Sequence, residues 1–430
     1  MVRVVVVHGA KGHGGSVSGT VDVCAPGPLR LDSADAVGQV EAMLAARTVA
    51  NRAFFEVEAG RIAKLCSRMA DRFGDGGRLI AVGASPAARS DVRHVAVEFV
   101  HPVIVGKRAL PAIGLTGESA SLAAQVTIFA RPQDIVIAFG SVSDGEASQL
   151  VDAIAAGRAR GCLTIAMDRL GAEFEFDAPS SDAFVWQELV ETLYHVLWEL
   201  VHVYVDHGAG TSTSAAAHPG NSAFLYPFLT QSTRDLVGVT SDVTRSVMVK
   251  AAEVGALRER SFAGEGAVQL AQVAAVVRAR LDAGGTVLAF GNGGSATDAM
   301  DFVADLCEPP SALGATRRSA LDLTADSSII TALTNDVGPD VVFARQIIAY
   351  GSERDVAVGF STSGSSRNVI AAFAEARSRG LLTVCFAGYD GGRIAAERLA
   401  DHVIVASSEY VPRIQEAHAT AYHAIRVLIG

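Results

Sequence analysis

Gly284-Gly285-Thr286-Val287-Leu288-Ala289-Phe290-Gly291 leaves a glycine turn, runs through apolar residues and opens into Gly291-Asn292-Gly293-Gly294-Ser295. A short apolar run with glycines at both ends predicts a strand buried on both faces, and the Ala-rich stretch at 296–306 predicts the helix after it. The same run stands 208 residues upstream, as Gly76-Gly77-Arg78-Leu79-Ile80-Ala81-Val82-Gly83. Asp134–Phe139 is echoed by Asp355–Phe360 and Arg160–Thr164 by Arg379–Thr383, at offsets of 221 and 219. Order kept at near-constant spacing reads as an internal duplication of one unit.

Strands are expected at 286–290, 319–323, 355–360, 381–386 and 402–406, separated by helices such as 296–306 and 367–379. Continuous apolar strands alternating with helices predict an α/β fold whose parallel sheets are covered on both faces. The stretch 207–221, HGAGTSTSAAAHPGN, has the composition of a linker. The expected division is therefore an extension at 1–36, a first domain at 37–206, the linker, and a second domain at 222–430. In the extension, Val4–Val7 followed by HGAKGHGGS resembles a strand before a phosphate loop, but it lacks the G-K-[ST] ending.

The chain has 430 residues, 50% of them hydrophobic and 19% charged, enough for two domains and too apolar for disorder. A net charge of −10 argues against a broad nucleic-acid or anionic-membrane surface. Five scattered cysteines without a C-x-x-C pair, no signal-peptide pattern and no run of 18 apolar residues lead to the expectation of a cytoplasmic protein that binds neither nucleic acid nor membrane.

Two loops have the chemistry of anion cradles: Gly291–Ser295, and Ser361-Thr362-Ser363-Gly364-Ser365-Ser366, each between a strand and a helix. Glycines admit a ligand close to the backbone, and helix N-termini aim N–H groups at it. Together with GNGGSATDAMDFVADL (291–306), LTNDVG (333–338), DGGRIA (390–395) and RIQEAHATAYH (413–423), they make the stretch at about 250–430 resemble the phosphoheptose isomerases. These are sugar-isomerase (SIS) domain enzymes that interconvert sedoheptulose 7-phosphate and a heptose 7-phosphate. The resemblance implies two tandem SIS domains, each a five-stranded parallel sheet flanked by helices, Rossmann-like and of flavodoxin type. It also implies zinc as cofactor and tetrameric assembly, which a dimer of this tandem chain would reproduce as four SIS units.

Carried over by motif, the substrate-binding residues are Asn292, Gly293, Ser295, Asp336, Ser361, Thr362, Ser363, Ser366 and Gln415, with Asp305 and His423 at catalytic positions. Asp301 stands where the family has a metal-binding histidine, Asp305 where it has a glutamate, and Pro309 where it has an arginine. Arg317 or Arg318 is a candidate replacement for that arginine. The first half supplies what the second lacks. His94 and Glu98 lie 207 residues before Asp301 and Asp305, and Gln187 and His195 lie 228 before Gln415 and His423. Both pairs can share a helix face. The implied metal shell is His94, Glu98, Gln187 and His195, with Glu98 as base and His195 as acid. Conversely, ASPAA (84–88) and GSVSDGE (140–146) replace the phosphate loops of the second half, and Asp144 and Glu146 would repel a phosphate.

The expected function is aldose–ketose isomerisation of a phosphorylated sugar through an enediol, with sedoheptulose 7-phosphate the first candidate. The alternatives are an isomerase for another phosphosugar and a non-catalytic sugar-phosphate-binding regulatory or assembly protein. Read without chemistry, Asp301 and Asp305 are a solvated helix face or a relic, and Gln187 and His195 are helix residues at the domain interface; the degraded loops of one half with Asp301 and Asp305 in the other favour the regulator.

Overall fold

The computed structural model describes residues 33–102, 107–117, 120–142, 145–208 and 236–430. The glycine-rich segment at 8–16, most of the expected linker and Asp144 lie outside the described residues.

The first half begins with the long helix α1 (Ser33–Gly74), then β1 (Leu79–Val82), α2 (Pro86–Val100), β2 (Ala112–Leu115), α3 (Leu122–Phe129) and β3 (Ile135–Ala138). It continues through α4 (Ala147–Ala159), β4 (Leu163–Ala166), β5 (Phe174–Glu175) and α5 (Ala183–Gly208). The second half opens on α6 (Leu236–Phe262) and α7 (Glu265–Asp282), followed by β6 (Val287–Gly291), α8 (Gly294–Cys307), β7 (Ala320–Asp322), α9 (Ser327–Asp336) and α10 (Val342–Tyr350). It closes with β8 (Val356–Ser361), α11 (Arg367–Ser378), β9 (Leu382–Gly388), α12 (Gly392–Ala396), β10 (His402–Ala406) and α13 (Val411–Ile429). The five strands expected in this half stand within two residues of their sequence bounds.

Each half holds a five-stranded, all-parallel sheet, ordered β2-β1-β3-β4-β5 in the first and β7-β6-β8-β9-β10 in the second. The two orders are the same. The central strands β1, β3, β4, β6 and β8 are buried along their whole length, as a sheet with helices on both faces requires. Register is fixed residue by residue, for example Val287 beside Val356 and Leu79 beside Ile135.

This order puts β6 between β7 and β8, so the connections leaving β6 and β8 diverge to opposite sides of the sheet. The gap at the carboxyl ends of those two strands is where ligands of such sheets bind. Both glycine/serine loops of the second half leave from these ends.

The halves have separate sheets but not separate cores. Val40 and Leu44 of α1 pack into the core of the second sheet, while Val243, Val247 and Ala251 of α6 pack into that of the first. Asp32–Gly430 accordingly form one compact unit. No described helix is long and apolar enough to cross a membrane.

Candidate active site

Four helices meet where the halves join: α2 and α8, which follow the first strand of each half, and α5 and α13, which close each half. Both α2 and α8 start from a strand-to-helix turn, but they are capped differently. Ser85 caps α2 through its hydroxyl, with Pro86 in the first turn, whereas Gly293 caps α8 at φ +58 without a side chain. One turn satisfies itself, and the other leaves room at the helix end.

Along the seam the side chains form two clusters. In the first, His94 Nε2 lies 3.4 Å from His195 Nε2, 3.2 Å from the amide of Gln415 and 3.9 Å from Glu98 Oε1. All four residues are at most 3% exposed. In the second, Asp301 accepts from Gln187 Nε2 at 2.5 Å, Tyr422 Oη at 2.7 Å and Ser90 Oγ at 2.8 Å, while His423 Nε2 lies 3.3 Å from Asp305 Oδ2.

The glutamines are exchanged. Gln187, expected with His94, reaches across to Asp301, and Gln415 from the second half takes its place beside His94. The first cluster is therefore His94, Glu98, His195 and Gln415, and the second Asp301, Asp305, His423 and Gln187. Asp301 and Asp305 are buried, which excludes a solvated helix face. A second exchange supports the histidines: His195 Nδ1 lies 2.9 Å from Glu416 Oε1, and His423 Nδ1 lies 2.9 Å from Glu188 Oε1.

Charge separates the clusters. Burial, then the neighbouring His195, holds His94 well below its usual value, so its ring is neutral and keeps a lone pair. Burial lifts Glu98 to about 7, with His195 pulling it down and Glu199 adding to the rise. In the second cluster burial opposes a charge on His423, but Asp305 and Glu188 outweigh it and raise the imidazole to about 9. His423 is thus a cation held between carboxylates. Glu188 in turn stays ionised against its burial because Arg47 and Arg258 neighbour it.

The donor sets decide which cluster fits a zinc ion. Two ligand nitrogens at about 2.0–2.1 Å from a tetrahedral zinc stand about 3.3–3.4 Å apart, and His94 Nε2 and His195 Nε2 are separated by 3.4 Å. Gln415 Oε1 and Glu98 Oε2 are buried without hydrogen-bond partners. Turning the Gln415 amide over presents its acceptor oxygen to the same point. His94, Glu191 and His195 also have ligand atoms within 4.8 Å of one another. His94, His195 and Gln415 fit the ion, and the carboxylate grouped with the two histidines is Glu191 rather than the expected Glu98. Asp301, Asp305 and His423 are as closely grouped, and Asp305 Oδ2 and His423 Nε2 are likewise buried without hydrogen-bond partners, but Asp301 already accepts three hydrogen bonds and His423 would first have to release a proton that two carboxylates stabilise. That cluster fits the ion less well.

The phosphate loops divide in the same way. Asn292 and Asn368 exchange amide hydrogen bonds of 2.9 and 2.8 Å, joining the first loop to the start of α11, and Ser361 Oγ lies 3.0 Å from Ser366 Oγ. Ser295 and Ser361 are buried at the strand ends, Thr362 is half-buried, and Ser363 and Asn292 are exposed. Gly294 ties this loop to the first cluster, since a Cβ there would stand 2.0 Å from Gln415 Nε2 and 2.9 Å from His94 Nε2. Asp336, at the end of α9, is exposed and accepts from Asn335 Nδ2 at 2.8 Å. Arg318, a candidate for the missing arginine, pairs with Asp282 at 2.6 Å.

In the first half the loop after β3 is occupied from within. Ser141 Oγ and Val142 N donate to Asp168 Oδ2 at 2.6 and 2.9 Å. Partial burial raises this carboxyl, but those bonds and Arg169 outweigh it and leave its value lowered. Asp168, just past β4, thus adds a carboxylate to this loop beside the expected Glu146, while Asp144 lies outside the described residues. Ala87 brings a Cβ to the position 207 residues before Gly294.

Glu188, Glu416, Glu191, Tyr194, Tyr422 and Asp168 were not singled out by sequence. The offset of 228 that pairs the catalytic helices also pairs Glu188 with Glu416 and Tyr194 with Tyr422, and following it further would have found these four. Glu191 and Asp168 have no counterpart and no such signal.

A seam of this kind at the carboxyl ends of two like parallel sheets defines a protein with two SIS-like units. The SIS domain family model matches residues 251–388. The C-terminal domain of glucosamine-fructose-6-phosphate aminotransferase from Francisella tularensis superposes over 90% of this chain and 95% of its own, with a TM-score of 0.56 at 7% identity, a likeness of fold. The phosphoheptose isomerase of Geobacter metallireducens is 44% identical over 163 residues, 37% of this chain and 84% of that one. That of Desulfovibrio desulfuricans is 39% identical over 190 residues, 43% of this chain and 87% of that one. Through this stretch the chain belongs to the phosphoheptose isomerase family.

Proposed function

We propose that each chain carries one composite active site and isomerises a phosphorylated ketose to the aldose, with sedoheptulose 7-phosphate the first candidate substrate. The observation that carries this is the contact at Gly294: the intact loops of the second half open beside the intact cluster His94–Glu98–His195–Gln415. The substituted cluster stands by the first half's own turn, where Ser90 donates to both Ala87 O and Asp301. Losses in the two halves therefore fall together, and the surviving parts fall together too.

In this reading Ser295, Ser361, Ser363 and Ser366 hold the phosphate with loop amides. The phosphate anchors one end of the sugar and brings its carbonyl to the cluster. Glu98, lifted to about 7, takes the proton from the carbon next to the carbonyl and returns it to the neighbouring carbon. Its Oε2, which has no partner, is the atom placed to do so. His195, held at Nδ1 by Glu416, moves the proton at the sugar oxygen through Nε2 only while no ion takes that lone pair. His94, His195, Gln415 and Glu191 would hold zinc, which when bound polarises the carbonyl. This site is complete within one chain, so the dimer proposed from the family's assembly is not needed to build it.

Proton NMR of sedoheptulose 7-phosphate with the protein in D₂O and zinc tests the proposal. Aldose signals with deuterium next to the carbonyl are expected, and Glu98→Gln should abolish them while keeping the ligand's shift of Tm. A fully active Glu98→Gln would overturn the assignment. No turnover with a retained shift would favour a sugar-phosphate-binding regulator, the reading that the substituted second cluster supports.

A further inference from the structure

We propose that Glu416, on the closing helix of the second half, is the positioning residue that fixes the tautomer and orientation of His195 in the first half. The inference rests on the reading of the first cluster as a metal site.

A histidine presents a lone pair toward a ligand from one ring nitrogen only when the other carries the hydrogen, and the partner of that N–H decides which is which. His195 Nδ1 lies 2.9 Å from Glu416 Oε1, and both side chains are fully buried. A carboxylate accepts only, so Nδ1 carries a hydrogen and Nε2 is the nitrogen left to meet an ion beside His94 Nε2. Glu416 is itself held. Arg413 pairs with its Oε1 and also reaches Glu199 at 3.1 Å, and Lys250 meets Glu199 from α6. Both the carboxylate and its brace belong to the chain's second half or its opening helix, apart from Glu199.

The chain contains its own control. Glu188 stands 228 residues before Glu416, as His195 stands 228 before His423, and it holds His423 Nδ1 at the same 2.9 Å. The device is the same, but beyond His423 lies Asp305 in place of a second imidazole. Loss of the carboxylate at 416 should therefore disturb metal binding, and loss at 188 should not.

The test uses Co²⁺ as probe on the full chain, with affinity measured by chelator competition and ligand geometry by the visible d–d bands. Glu416→Gln is expected to bind Co²⁺ about 10- to 100-fold more weakly, the range for lost carboxylate–histidine–metal support, with altered bands. Glu188→Gln is expected to match the parent in both. If Glu416→Gln fails to fold, Glu416→Asp, which keeps the charge but draws the oxygen back, takes its place with the same expectation. A parent that binds Co²⁺ beside a folded variant of equal affinity and spectrum overturns the positioning role. A parent that takes up no Co²⁺ overturns the metal reading and this inference with it. Equal weakening by both glutamine variants also overturns it, because the effect would then be general to the buried seam.

Discussion

Gly294→Ala tests whether loop and cluster are one site. The new Cβ would lie 2.0 Å from Gln415 Nε2 and 2.9 Å from His94 Nε2, where ordinary contact begins at 3.4 Å. The Gln415 amide would have to retreat by about 1.4 Å, a misplacement that costs about a hundredfold in rate when a catalytic set is disturbed. Overpacking costs about 1–3 kcal/mol, partly offset by the roughly 0.5–1 kcal/mol by which alanine favours a helix over glycine. A net loss of about 1 kcal/mol is expected in stability, small beside the effect on turnover. Turnover by NMR and Tm by calorimetry separate the two. Adding Gln415→Ala removes the nearer of the two contacts, so the double variant should recover part of the lost Tm without recovering activity. A Gly294→Ala protein with turnover within about threefold of the parent would refute the composite site.

Elemental analysis after zinc loading should find about one zinc ion per chain, almost none in His94→Ala, and an unchanged amount in Asp301→Ala; two ions per chain in the parent would contradict the distinction between the clusters. His423 has a folded value of about 9 against about 6.5 unfolded, so its contribution is complete below pH 6.5 and is lost as pH rises through 9. The Tm gap between the parent and His423→Gln should narrow over that window, from a stabilisation of about 3 kcal/mol at most, and a gap that widens toward alkaline pH would show that His423 is neutral in the fold.

Most strands were legible because they are short apolar runs next to glycines or acidic turn residues, as Val287–Gly291 and Val356–Ser361 are. The offsets of 207 and 228 correctly paired the helices that carry His94 and Asp301, Gln187 and Gln415. Those offsets state which positions are equivalent but not which half a side chain faces. An i and i+8 pair such as Gln187 and His195 shares a side of its helix over two turns, yet the first points to Asp301 and the second to His94. Crossing of this kind is a property of helix packing between halves, and no spacing within one helix encodes it. Asp168 was illegible for a related reason, since a carboxylate just past β4 reaches its loop only once the sheet has brought β3 and β4 side by side.

The exchange of Gln187 for Gln415 and of Glu188 for Glu416 has a consequence for how such a chain can change. In an assembly of identical separate subunits every substitution is written into all copies of a shared centre at once, and none can be lost without losing the rest. Joining the units lets each position be altered in a single copy. Asp301 and Asp305 both fall on one of the two clusters, so the other is untouched by them. The altered centre still contributes: its caged imidazolium and its carboxylates are a keystone between the sheets, and the glutamine and glutamate that its half lends across the seam finish the neighbour.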